Sequence, residues 1–223
     1  MSSTPVATAR DQKTGLLPRV TLIILCLIAV AAVLRRVYAL FSPPTPAARF
    51  PGATQLDAVF AAHRTMTLAH ILPAMCLVLL LPFWFSSRVR RHLATHRRIT
   101  IAIFLLGAVT GITALLMNTH PIGGFNEVLA ILFFDTFFLF ALVRSFVLWL
   151  RNDIPLHREW MTRAIAVLLG IATTRPVVGI FVATSRLTHL EPRQFFGTAF
   201  WIGFTLTYIA GEAYIRTHRQ TEL

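Results

Sequence analysis

Six apolar stretches, each about as long as a lipid bilayer is thick, dominate this 223-residue chain. The hydrocarbon core of a bilayer requires about 20 apolar residues per helix, and backbone groups in lipid must be hydrogen-bonded within their own segment. We therefore predict an all-α fold, a polytopic transmembrane bundle of six helices. The predicted transmembrane helices cover residues 20–41, 66–85, 99–118, 128–150, 161–184 and 195–215.

The composition supports a membrane protein and excludes several other classes. Hydrophobic residues make up 56% of the chain and charged residues 13%, about half the ~25% of charged residues usual in soluble domains. A disordered chain and an ordinary soluble domain are therefore excluded. The sequence has no phosphate-binding glycine loop, nucleophile elbow or metalloprotease helix motif, which disfavours a hydrolytic or nucleotide-driven enzyme. It identifies no catalytic residue.

Basic residues lie mostly between the apolar stretches, which favours a role in membrane orientation over nucleic-acid binding, despite the net charge of +12. Twelve Lys and Arg residues fall in the N-terminal segment, in the loops after the second and fourth stretches and in the tail, whereas six fall in the other loops. We therefore expect both termini on the cytoplasmic side of the cell (inner) membrane. Residues 1–19 are predicted to be a disordered cytoplasmic segment, 20–216 the membrane domain, and 217–223 a cytoplasmic tail. The first stretch is interpreted as an uncleaved signal anchor, with a cleaved signal peptide as the alternative.

Two charged residues, Asp135 and Arg175, lie deep inside predicted transmembrane helices, where a charge is costly. Asp135 lies about 10 Å and Arg175 about 13 Å from the outer ends of their stretches, at 1.5 Å per residue. Because these depths match, the sequence predicts an Asp135–Arg175 ion pair. Such a pair either locks two helices together or forms the charged wall of an outward-facing site, as in a small-solute or ion transporter.

The histidines are predicted to form two groups, one at each side of the membrane. Since one histidine from each of two facing helices can ligate a haem iron, His70 with His120 and His96 with His157 are candidate pairs. Haem b is therefore a candidate cofactor. The spacing of the histidines and of the two cysteines predicts no structural metal site and no disulfide. The outer group comprises His63, His70, His120 and His189, and the inner group His92, His96, His157 and His218.

The segment from His157 to Arg163 has the features of a membrane-interface element. Pro155 and His157 are expected to begin a helix there, and Trp160 to anchor it at the headgroups. Its arginines are expected either to serve only as anchors or to form an anion site for a lipid headgroup, a haem propionate or the surroundings of a quinone. The residues of this predicted site are Arg97, Arg98, Arg158, Trp160 and Arg163.

Five stretches together resemble the domain of unknown function 2306 (DUF2306), a bacterial family of predicted membrane proteins. The resemblance covers His63 to Ala183 and implies a multi-pass helical membrane protein with no established activity. The chain departs from the family pattern at Leu81–Phe85, where a Gly-Pro-x-Gln-Phe ending is usual. The stretches are His70-Ile71-Leu72-Pro73, His96-Arg97-Arg98, Gly123-Gly124-Phe125, His157 to Arg163, and Arg175. The positions that the resemblance marks are His70, His96, His157, Arg158, Trp160, Met161, Arg163 and Arg175.

Three function classes remain open from the sequence. We expect a non-catalytic membrane bundle with an assembly or lipid-interacting role, in contact with the bilayer and with anionic lipid headgroups. One alternative is a haem- or quinone-binding redox bundle that uses His70, His96 and His157. The other is a small-solute or ion transporter that uses Asp135 and Arg175.

Overall fold

The computed structural model describes residues 7–42 and 53–219, which form eight α-helices and no strand. The predicted all-helical membrane fold is confirmed, because five of these helices are long and apolar enough to cross a membrane: α1, α3, α5, α6 and α7. The helices are α1 (Ala7–Phe41), α2 (Ala53–Ala62), α3 (Arg64–Phe85), α4 (Ser87–Arg91), α5 (Leu93–Met117), α6 (Gly124–Leu150), α7 (Ile154–Thr188) and α8 (Pro192–Arg219).

The five membrane-length helices form a closed ring. Helix α1 packs against α3 and α7, α3 packs against α5, α5 against α6, and α6 against α7. Short α2 contacts α1 and α3 and defines one end of the ring, here called the α2 end, where the α5–α6 and α7–α8 connections also lie. The other end, called the α4 end, carries α4 and the α6–α7 connection.

Helix α8 is the sixth predicted stretch, but it is not among the five helices apolar enough to cross a membrane. Its 28 residues span about 42 Å at 1.5 Å per residue, so the helix is long enough to cross a membrane. Its Gly, Thr and Tyr residues lower its hydropathy. Because α8 packs on both α6 and α7, it lies along the ring, and a sixth membrane crossing stays a prediction.

Small residues bring α7 and α8 into backbone contact. A Cβ atom added at Gly203 would lie 2.7 Å from the backbone nitrogen of Thr174, and one added at Gly170 would lie 2.9 Å from the Cα of Phe204. Neither position has room for a side chain. Close approach through small residues is a common way for helices to associate in lipid, where no hydrophobic force drives them together.

The structure changes the predicted boundaries at the chain ends. Helix α1 begins at Ala7, so residues 7–19 are helical where the sequence indicated a disordered segment. The reason is that good helix formers, among them Ala, Arg, Gln, Lys and Leu, precede the apolar stretch and extend its helix. Residues 217–219 of the predicted tail belong to α8. Residues 1–6, 43–52 and 220–223 lie outside the described part.

Candidate functional site

A cavity of about 580 Å³ lies inside the ring of helices. Its volume is within the roughly 300–1,000 Å³ typical of small-molecule sites. Along α7 it extends from Val167 to Val182, about 22 Å at 1.5 Å per residue. Helices α2 and α8 add to its walls. The cavity is therefore long and runs along the bundle.

The polarity of the cavity wall changes along its length. The floor, which is the part nearer the α4 end, is apolar and consists of Ala29, Val78, Phe138, Val167 and Phe204. All the polar side chains of the wall lie nearer the α2 end, among apolar residues such as Phe60, Val182 and Phe196. The polar side chains are Arg35, Arg36, His63, Thr67, His70, Thr110, Asn118, Thr119, His120, Glu127, Asp135 and Arg175. The cavity thus has one end lined by apolar side chains and one end, here called the polar end, that carries all of its polar side chains.

Asp135 and Arg175 both line this cavity, but they form no salt bridge with each other. Within the described part of the chain, the Asp135 Oδ2 atom is buried and has no hydrogen-bond partner, and Arg175 is exposed to the cavity with no hydrogen bond or ion pair. The two residues share a cavity wall, but matching depth alone does not bring their side chains together. Depth does not fix the direction in which each side chain leaves its helix, so the predicted direct contact is not formed here.

Arg35 and Arg36, at the end of α1, both bind Asp57 of α2. Two guanidinium nitrogens of Arg35 donate to the two Asp57 oxygens, each over 3.1 Å, and Arg36 donates to Oδ1. The Arg36 guanidinium also lies 3.9 Å from the centre of the Phe60 ring. These contacts hold α2 against α1 at the polar end of the cavity.

Glu127 is the other acidic residue on the cavity wall, and it is 5% exposed. Its Oε2 atom accepts hydrogen bonds from the backbone N–H groups of Ile122, over 2.7 Å, and Gly123, over 2.5 Å. Gly123 itself has no room for a side chain, because an added Cβ would lie 2.8 Å from the backbone nitrogen of Gly197. The Glu127 carboxylate therefore serves to fix the α5–α6 connection.

Three histidines line the polar end of the cavity. The Nδ1 atom of His70 lies 3.1 Å from both the Thr110 carbonyl oxygen and the Thr113 hydroxyl, so it donates to the carbonyl. The His120 ring packs against His63 at an interplanar angle of 38°, with the ring centres 3.8 Å apart. His120 is therefore engaged with His63, and the structure shows no contact that pairs it with His70.

His96 and His157 both lie near the Trp84 ring at the α4 end. The ring centres lie 6.2 Å and 6.3 Å from that of Trp84. His157 is 2% exposed, and its Nδ1 lies 3.0 Å from the Ser145 carbonyl oxygen, to which it donates. The prediction that these two histidines share one end agrees with the structure. No group of three or more His, Cys, Asp or Glu among the described residues has the arrangement of a metal site.

The predicted interfacial anion site divides into two parts. Arg163 donates to Glu212 of α8 over 2.5 Å, lies 3.7 Å from Glu159, and covers the Trp160 ring at 4.8 Å. Its charge is therefore balanced within the protein. Glu159 also binds Arg219. The remaining arginines, Arg97, Arg98 and Arg158, are exposed.

Residues 67–215, about two thirds of the chain, match the family model of DUF2306, whose description is "predicted membrane protein". The match includes the ring helices from α3 to α7 and nearly all of α8. Comparisons with curated proteins and with solved structures give no significant match.

Proposed function

We propose that this chain, which belongs to the DUF2306 family of predicted membrane proteins, is a lipid-interacting bundle that binds a small amphipathic molecule in its cavity. One observation carries the proposal: the long cavity inside the ring has an apolar floor and a polar end. Ligand sites typically have mostly apolar walls and a few convergent polar groups. The proposed role needs no catalytic residue.

The apolar floor favours an amphiphile over a small polar solute. Burying a methylene group contributes about 0.8 kcal/mol, so a chain of four methylenes in the floor adds about 3 kcal/mol to binding. A polar solute gains nothing there and loses its hydration. The polar residues lie toward the α2 end of the cavity, where the head of an amphiphile would be held.

Adjacent alanines of α1 provide a matched test of this proposal. Ala32 lines the cavity, whereas Ala31 is exposed and is not part of the cavity wall. Ala32→Leu narrows the cavity, and Ala31→Leu adds the same volume elsewhere. Each protein is purified and its annular lipid is removed. Native mass spectrometry then measures the fraction of the protein that keeps a bound molecule of lipid mass.

We expect wild type and Ala31→Leu to retain a bound molecule of lipid mass and Ala32→Leu to lose most of it. Equal retention in the two variants, or no bound molecule in wild type after reconstitution with lipid, contradicts the proposal. Thermal unfolding of both variants serves as the control for folding.

We also propose the cell membrane as the location, with both termini in the cytoplasm. The charge distribution supports this orientation, and the first described residues of α1 and the last of α8 belong to the same end of the bundle, the α4 end. Reporter fusions at both termini test it, and opposite compartments for the two reporters would refute it.

A further inference from the structure

Most charged groups on the cavity wall already have partners. Arg35 and Arg36 share Asp57, and the Glu127 carboxylate accepts two backbone N–H groups. Arg175 and Asp135 remain, since within the described part of the chain Arg175 has no ion-pair partner and neither oxygen of Asp135 has a hydrogen-bond donor. The Oδ2 atom is buried, which leaves Oδ1 as the oxygen that a ligand in the cavity can reach. Among its charged groups, the cavity wall therefore presents one unpaired cation, Arg175, and one unpaired carboxylate, Asp135. The Thr110 Oγ1 and Asn118 Oδ1 atoms of the same wall are also buried without a hydrogen-bond partner.

Charged and polar groups at membrane depth need partners, because lipid offers them none. Asp135 and Arg175 do not pair with each other in this structure, although they line the same space. A molecule that carries both an anionic group and a hydrogen-bond donor can satisfy Arg175 with the first and Asp135 with the second when it lies between them.

We infer that the ligand is a single-chain amphiphile with a phosphate and an ammonium group in its head. This inference rests on the proposed function and names the ligand class of the same cavity. The Arg175 guanidinium binds the phosphate, a pairing that its planar, forked N–H groups favour. The Asp135 carboxylate accepts a hydrogen bond from the ammonium group.

The position of Arg175 leaves room for the chain of this ligand. The cavity floor at Val167 is eight residues from Arg175 along α7, about 12 Å at 1.5 Å per residue. Between the two levels the cavity runs along α7 past Ile171 and Leu168. An aliphatic chain therefore extends from the head toward the α4 end, with its methylenes against apolar side chains.

Two lysophospholipids with the same short acyl chain, chosen to fit between Arg175 and the cavity floor, separate the contribution of the ammonium group from that of the phosphate. Lysophosphatidylethanolamine carries N–H donors, whereas lysophosphatidylcholine has a quaternary nitrogen without them. Dissociation constants are measured for both lipids in detergent-solubilised, lipid-stripped protein. Free phosphoethanolamine, which has the head but no chain, is the third probe.

We expect wild type to bind the ethanolamine lipid about tenfold more tightly than the choline lipid, as for one hydrogen bond to a charged group. Asp135→Asn should remove this preference. Arg175→Met should weaken the binding of both lipids about tenfold. Arg175→Lys should weaken it less, because lysine keeps the positive charge and loses only the paired N–H groups of the guanidinium. Arg64→Met is the matched control, since Arg64 lies at the same end outside this cavity wall.

Equal binding of the two lipids by wild type, or unchanged binding in Arg175→Met, overturns the inference about the head. In that case a loss of lipid in Ala32→Leu alone still upholds the proposed function. If free phosphoethanolamine binds as tightly as its lysolipid, the acyl chain contributes nothing. That result contradicts both the amphiphile as ligand and the proposed function. An effect of Arg64→Met as large as that of Arg175→Met shows that only general charge matters and also overturns the inference.

Discussion

At the residue scale, the sequence draws attention to side chains that are costly to place in lipid. His70, Asp135 and Arg175 stand out because polar side chains are rare at membrane depth, and all three line one cavity. Which contacts such side chains make, or whether they make any, was not predictable, because this depends on how the helices rotate about their axes. The i,i+4 spacing favours Glu212 with Arg216, yet Glu212 binds Arg163 on the neighbouring helix.

The contact of Arg35 and Arg36 with Asp57 was missed for a related reason. The sequence places the two arginines at the end of an apolar stretch, where lysine and arginine side chains usually reach toward the headgroups. Asp57 lies more than twenty positions further along the chain. Only the packing of α2 on α1 reveals that the two segments meet.

Arg35 and Arg36 differ in burial, and this difference predicts unequal effects on stability. The Arg36 side chain is 11% exposed and that of Arg35 is 50% exposed. We expect Arg36→Met to lower the free energy of unfolding by about 1–3 kcal/mol, since a charge-assisted bond is lost in a partly buried place. Arg35→Met should change it by less than about 1 kcal/mol. Thermal unfolding of each variant in detergent measures the difference, and equal effects would refute this ranking.

At the scale of elements, apolar length alone located the membrane-length helices to within several residues. The hydrophobic requirement of the bilayer dominates any local preference there. The sequence did not predict where α1 begins, because helix formers outside the membrane extend a helix that lipid has already nucleated. A membrane crossing by α8 also stays a prediction. Because α8 packs on α6 and α7, less of its surface needs to be apolar.

Two glycines of α7 give a matched prediction for the α7–α8 contact. Alanine is a better helix former than glycine by up to about 1 kcal/mol, so Gly179→Ala, which meets nothing within 4 Å, should be neutral or stabilising. Gly170→Ala should destabilise the protein by about 1–3 kcal/mol, because its Cβ would press on the Phe204 backbone. Unfolding temperatures of the two variants measure this contrast. A Gly170→Ala protein as stable as wild type would show that α8 does not pack so closely.

At the scale of the whole molecule, the ring of five helices creates the cavity. No local sequence pattern predicts that the ring closes, because closure depends on the contact between α1 and α7, which are far apart in the chain. The ring leaves a space that side chains do not fill, with charged groups at one end. An arrangement of this kind suits a ligand whose polar head is held by charged groups inside the ring and whose chain lies against the apolar floor.

The position of a bound lipid chain tests the central claim most directly. A lysophosphatidylethanolamine with a photoreactive diazirine near the end of its chain is bound to the protein, activated by light and mapped by peptide mass spectrometry. We predict crosslinks at the cavity floor, in the segments that contain Val78, Phe138 and Val167, and their loss in Ala32→Leu. Crosslinks confined to exposed residues on the outside of the ring, such as Leu105 and Val143, would contradict the account.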